Sequence, residues 1–165
     1  MKKPPEEVIG SLLAVTTIFV SLPPLNLPAW GIFISWAGTF AMGGPSKENL
    51  KRIWPVMPIG SVTACLVVVA FTAASKSFSG YSFIVAEMII LFCLDGAMML
   101  LGRLRGLRFV PGMFFGFASY FATVFGGFGP IPHDPLASLG VAVVANALGP
   151  IYAWLTTRLS APHTD

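Results

Sequence analysis

Two carboxylates stand where a carboxylate is costly. Glu87 and Asp95 lie within one apolar stretch, Tyr81–Leu101, and no Lys, Arg or His sits in the interior of any apolar stretch to pair with them. At the centre of a membrane helix an Asp costs about 2.5–3.5 kcal/mol to insert, so such residues face a bundle interior or a watery path. On a helix their spacing corresponds to about 80° of rotation and about 12 Å of rise, one broad face with one carboxylate toward each side of the midplane. That pattern suits a proton or cation path. The competing structural reading has Glu87 reaching the outer interface and Asp95 bonded to helix backbone or polar side chains.

Uncharged polar residues form a second candidate set. Ser35 and Thr39 are one helical turn apart, as are Ser119 and Thr123, and Asn146 lies midway along the last apolar stretch. Hydroxyls and amides inside membrane helices often serve only to join helix to helix. The functional reading is a slot with aromatic walls, Trp36, Phe40, Phe117 and Phe121, and hydrogen-bonding groups from Ser35, Thr39, Ser119 and Asn146. A narrow bore with few polar groups is what selectivity for a small polar solute requires.

Other chemistries find little support. No glycine-rich phosphate loop, metal-ligand cluster or Ser/His/Asp set of recognisable spacing occurs, so neither enzyme, metal nor cofactor is expected. His133 falls in a loop, where it is either solvated or a pH sensor, and His163 falls in the tail. Cys65 and Cys93 lie in apolar stretches and read as small hydrophobes. The net charge of +3 does not imply nucleic acid, because the basic residues sit at stretch ends and form no stripe interleaved with exposed aromatics.

The elements that must position these residues are membrane helices. Of 165 residues, 55% are hydrophobic and 10% charged, with mean hydropathy +0.79; soluble domains carry about 25% charged residues. About six apolar stretches follow one another: Val8–Leu22, Pro28–Met42, Ile53–Ala74, Tyr81–Leu101, Phe109–Phe125 and Leu136–Leu159. Six spans of roughly 20 residues leave only short loops, so residues 1–165 are one polytopic all-α domain. Threading them places Lys2, Lys3, Lys47, Lys51, Arg52, Arg103, Arg105, Arg108 and Arg158 on one side and Lys76 alone on the other. The excess marks the cytoplasmic side, with both termini on it. The apolar run near the N-terminus ends in Leu22-Pro23-Pro24 without a small-x-small cleavage site and reads as the first span. Ser46 is a candidate N-cap for a helix starting in the headgroup region, and Asp134 before Pro135 a candidate cap for the last helix.

The second and fifth stretches resemble each other. Phe33-Ile34-Ser35-Trp36-Ala37-Gly38-Thr39-Phe40-Ala41 aligns with Phe114-Phe115-Gly116-Phe117-Ala118-Ser119-Tyr120-Phe121-Ala122, and a Gly pair follows each, Gly43-Gly44 and Gly126-Gly127. Stretches three spans apart cross the membrane in opposite directions, as a three-plus-three inverted repeat requires, with halves 1–76 and 77–165. Such architectures place a solute site near the midplane between the halves.

Phe109-Val110-Pro111-Gly112-Met113-Phe114-Phe115-Gly116, with Ala118 and Phe121-Ala122, resembles a characteristic stretch of the YcdZ-like family of uncharacterised bacterial inner-membrane proteins. The second stretch, with Trp36-Ala37 and Phe40-Ala41 before the Gly pair, is similar to that family's other recognisable segment. The resemblance implies a multi-pass protein of the bacterial inner membrane and brings no site residues with it.

Three functions from different classes fit the residues. One is a channel or facilitator, a homo-oligomer in the bilayer, for a small polar solute of the urea, amide or short organic acid type. Another is a proton- or cation-coupled transporter using Glu87 and Asp95. The third is a non-transporting subunit or assembly factor of a larger membrane complex. All three share one topology. In intact cells, with Cys65 and Cys93 replaced, an impermeant thiol reagent is expected to label Ser77→Cys or His133→Cys but not Arg105→Cys. Labelling of Arg105→Cys would overturn the span order.

Overall fold

The computed structural model describes residues 3–161; Lys2, which enters the basic count, and His163 lie outside them. Helices occupy all six apolar stretches: α1 Glu6–Ser21, α2 Ala29–Ala41, α4 Val56–Ala74, α5 Gly80–Leu101, α6 Val110–Phe125 and α7 Pro135–Leu159. A seventh, α3 (Lys47–Ile53), precedes α4. Ser46 caps it, its Oγ accepting from the Asn49 N–H at 3.1 Å. Asp134 caps α7 in the same way, accepting from the Ala137 N–H at 2.7 Å with Pro135 in the first turn. No strand occurs among the described residues.

Three helical stretches are long and apolar enough to cross a membrane: Lys47–Ala74, Gly80–Leu101 and Pro135–Leu159. The other helices, α1, α2 and α6, have 16, 13 and 16 residues, about 20–24 Å at 1.5 Å per residue. That falls short of the roughly 30 Å hydrocarbon layer. Proline and glycine breakers flank them: Pro23-Pro24 and Pro28 bracket the turn into α2, and Gly43-Gly44 and Gly126-Gly127 follow α2 and α6.

Four helices make the core. The two most extensive pairings are α4 with α6 and α2 with α7; α2 also meets α6, and α7 meets both α4 and α6. The outer helices join unequally. α1 lies against α7 and α2, whereas α5 lies against α4 and buries only Met98.

Glycine sets how closely the paired helices approach. A Cβ on Gly60 of α4 would strike the Met113 carbonyl and come within 2.9 Å of the Phe117 nitrogen on α6. One on Gly149 of α7 would strike Ser35 Oγ and come within 2.6 Å of the Ile32 carbonyl and 2.5 Å of the Trp36 nitrogen on α2. Gly31 meets Ala145 as Gly112 meets Val56. Two of the α2 partners are thus those that the aligned stretches, extended by one residue, pair with the α6 partners of Gly60: Ile32 with Met113 and Trp36 with Phe117.

The two ends of the bundle differ in charge. The described termini meet at one end, where Lys3 Nζ donates to the Arg158 carbonyl at 2.7 Å and the Ala161 N–H to the Pro4 carbonyl at 2.8 Å. Arg52 lies 5.8 Å from the Phe109 ring centroid at the start of α6, and Arg158 4.8 Å from that of Trp154. At the opposite end Asn26 Nδ2 donates to the Gly129 carbonyl at 3.2 Å. There His133 Nδ1 donates to the Val124 carbonyl at 3.0 Å, tying the 126–134 loop to α6. The sequence leaves His133 as a solvated or pH-sensing loop residue; the structure gives it this tether, at a positive φ of 60°.

The glycine contacts generate a direct test. Gly60→Ala forces α4 off the α6 backbone and is expected to cost about 1–3 kcal/mol or more. Gly10→Ala, where a Cβ meets nothing within 4 Å, is expected to be neutral or to stabilise by up to about 1 kcal/mol through helix propensity. Thermal unfolding of both variants in detergent measures the difference.

Candidate functional site

The polar candidates separate once their bonds are traced. Ser35 Oγ donates to the Gly31 carbonyl at 2.8 Å, Thr39 Oγ1 to the Ser35 carbonyl at 2.8 Å and Thr123 Oγ1 to the Ser119 carbonyl at 2.6 Å. All three are fully buried, with their hydrogens spent on the preceding turn of their own helix. Ser119 is also fully buried, but its Oγ has no partner among the described residues, and neither has that of Ser138.

Asn146 is different in kind. It lies midway along α7 and is 1% exposed, and neither its amide nitrogen nor its amide oxygen has a partner. Its Oδ1 lies 3.7 Å from where a Cβ on Gly31 would stand, at the α2–α7 crossing. Leaving a buried polar group unpaired costs about 1–3 kcal/mol, and a carboxamide has both a donor and an acceptor end to satisfy. The helical hydrogen-bond ladder also lacks a donor here: Pro150 lies inside the continuous α7, and proline supplies no N–H to the carbonyl four residues back, that of Asn146. The neighbouring Ala147 carbonyl accepts from Trp54 Nε1 at 3.2 Å. A bond from the α3–α4 junction therefore supports α7 beside its proline.

The four aromatic candidates fall into two environments. Trp36 is 7% exposed, stacks 6.0 Å from Phe33 and tilts 5.4 Å from Tyr152, with Nε1 unpartnered. It and Phe40 border a groove of about 290 Å³ with Glu6, Gly10 and Thr156, between α1, α2 and α7. Tyr152 in turn meets Thr16 of α1 at 2.9 Å. Phe117 and Phe121 pack instead against a cluster of Ala64, Cys65, Val68 and Tyr120 between α4 and α6. Trp36 and Phe40 thus border the α1–α2–α7 groove, and Phe117 and Phe121 the cluster at α4 and α6.

Glu87 and Asp95 lie on α5, outside the four-helix core. Both are half-buried, and neither makes a hydrogen bond or ion pair among the described residues. No group of His, Cys, Asp and Glu that could hold a metal occurs among the described residues.

Sequence reasoning placed Asn146 among several polar candidates and missed what sets it apart. Its signal was legible: an amide four residues before a proline, in a helix whose Gly149 and Pro150 disturb it at the same level. The Trp54 bond had no such signal, because Trp54 at a span end reads equally well as an interfacial anchor.

No curated protein and no solved structure matches this chain. A family model does match over residues 8–161, and the chain belongs to that family, DUF1097, described as proteins of unknown function.

Proposed function

We propose that this protein is a facilitator for a small polar solute, neutral or weakly ionised, of the urea, amide or short organic acid type, and that Asn146 is its central binding group. The buried, unpartnered carboxamide carries this reading. A solute with one donor and one acceptor satisfies both ends of Asn146 and recovers the cost of leaving them unpaired. Trp36 holds a further unpaired indole N–H on the same helix pair.

The architecture invoked is a three-plus-three inverted repeat of six spans in the bacterial inner membrane, with both termini cytoplasmic and the relationship to YcdZ-like proteins retained. The matched contacts of Gly60 with α6 and Gly149 with α2 support it, as does the pairing of α1 with α7 and of α5 with α4. In such repeats solute sites form near the midplane between the halves, and Asn146 lies midway along α7, one turn before Pro150. The short α1, α2 and α6 fit spans completed by their flanking loops or by local thinning of the bilayer. The carboxylate pair on α5 stands apart from this centre, so the facilitator needs no coupled ion.

Proteoliposomes holding the purified protein are expected to take up radiolabelled urea, acetamide or a short monocarboxylic acid faster than empty vesicles. Asn146→Leu is expected to abolish that uptake while raising the unfolding free energy by about 1–3 kcal/mol, since it removes an unsatisfied buried amide. Failure of every small solute to cross, or unchanged flux in Asn146→Leu, overturns the reading.

A further inference from the structure

The least buried helix carries a surface that fits one specific kind of molecule. α5 has only 6% of its apolar window buried, and two grooves flank its half nearer the basic end. One, of about 480 Å³, runs between α4 and α5 and is walled by Ile59, Val62, Leu66, Leu94, Met98 and Leu101. The other, of about 650 Å³, lies on the outer face of α5 over Gly96 and is walled by Phe92, Cys93, Leu100 and Arg103. Ala97 borders both. Each has about the volume of a fatty acyl chain, and both are almost wholly apolar.

The basic cluster lies where the grooves end. Arg103 closes the outer one. Arg105 and Arg108 follow in the 102–109 loop, and all three are exposed with no ion pair among the described residues. Arg52 approaches the same loop through the Phe109 ring at 5.8 Å, bringing α3 with Lys51 and Lys47 alongside. The acidic residue on α3 is Glu48; Glu6 and Glu7 lie on α1, which borders α2 and α7 rather than α5.

We infer that this face is a binding site for an anionic glycerophospholipid. Its two acyl chains lie in the grooves on either side of Ala97, and its phosphate is held by Arg103 with Arg105. Arginine forks suit phosphate, and basic pockets between membrane helices at the positively charged side are where anionic headgroups dock. A second copy of the chain is the other candidate occupant, and charge argues against it. A two-fold pair in one bilayer is isologous, so packing through this face sets Arg103 and its neighbours against their own duplicates.

The test uses the whole protein in mild detergent, titrated with phosphatidylglycerol or with phosphatidylcholine of the same acyl chains and read by native mass spectrometry. Phosphatidylglycerol is expected to bind about tenfold more tightly. Arg103→Gln is expected to weaken it about fivefold while leaving phosphatidylcholine unchanged. Ala97→Trp intrudes at the border that the two grooves share and is expected to weaken both lipids. Gly96→Leu, at a position where a Cβ meets nothing within 4 Å, intrudes on the outer groove and serves if Ala97→Trp fails to fold. Equal affinity for the two lipids, or no effect of Arg103→Gln, overturns the site. An effect of charge without an effect of groove filling reduces it to surface attraction and also overturns it. So does a disulfide through the exposed Cys93 that forms efficiently in phosphatidylglycerol vesicles, which would show a second copy on this face.

Discussion

Everything in this bundle depends on backbone meeting backbone at Gly60 and Gly149. Within lipid there is little hydrophobic drive for one apolar helix to leave the acyl chains for another, and association rests on close packing. At both crossings the absent side chain lets one helix touch the carbonyls and amides of its partner. The partners answer with their own small residues, Gly116 against Met57 and Gly31 against Ala145. The buried hydroxyls then follow. Ser35, Thr39 and Thr123 turn back onto their own turns. Ser61 makes a bond between helices, donating to the Gly116 carbonyl at 3.0 Å at the α4–α6 crossing.

The four-helix core leaves α1 and α5 in different circumstances. α1 is held at its start by the terminal bonds of Lys3 and Ala161 and in its middle by Thr16 and Tyr152. α5 has no side-chain bond to any other helix among the described residues, and its outward face displays Tyr81, Met88 and Phe92. An apolar helix this exposed and long enough to cross a membrane suits lipid on its outer side. Glu87 and Asp95 are costly in that position. Glu87 is within reach of the end of α5 where Gly80 begins, and long side chains near helix ends extend to the interface. Asp95 is shorter and deeper, and no described residue pairs with it.

Much of this was legible in the residues because the membrane restricts the choices. Backbone in lipid must be helical or closed into a barrel, so apolar runs read directly as helices, and the boundaries of α2, α6 and α7 fall within a residue or so of the runs that announce them. The caps at Ser46 and Asp134 were readable because an oxygen three residues before a free N–H is a local arrangement. Lateral packing was not readable. Trp36 and Phe117 align in sequence and both look like walls of one slot. Which helix each faces depends on α2 choosing α7 and α6 choosing α4, a choice made by glycines far away in the chain.

That same remoteness explains why Asn146 emerges as the centre of the proposed site rather than the charged pair. A carboxylate announces its cost in any sequence, wherever the helix turns it. An asparagine in an apolar run does not, because the amide is cheap if any neighbour bonds to it. Its significance appears only when the neighbours are known: Gly31 stands beside it without a side chain, and neither end of the amide is bonded to a described residue. The unpaired amide is therefore a property of the α2–α7 crossing as a whole. The close approach at Gly149 fixes the two backbones on either side of the amide, and as the side chains stand no described residue bonds to it.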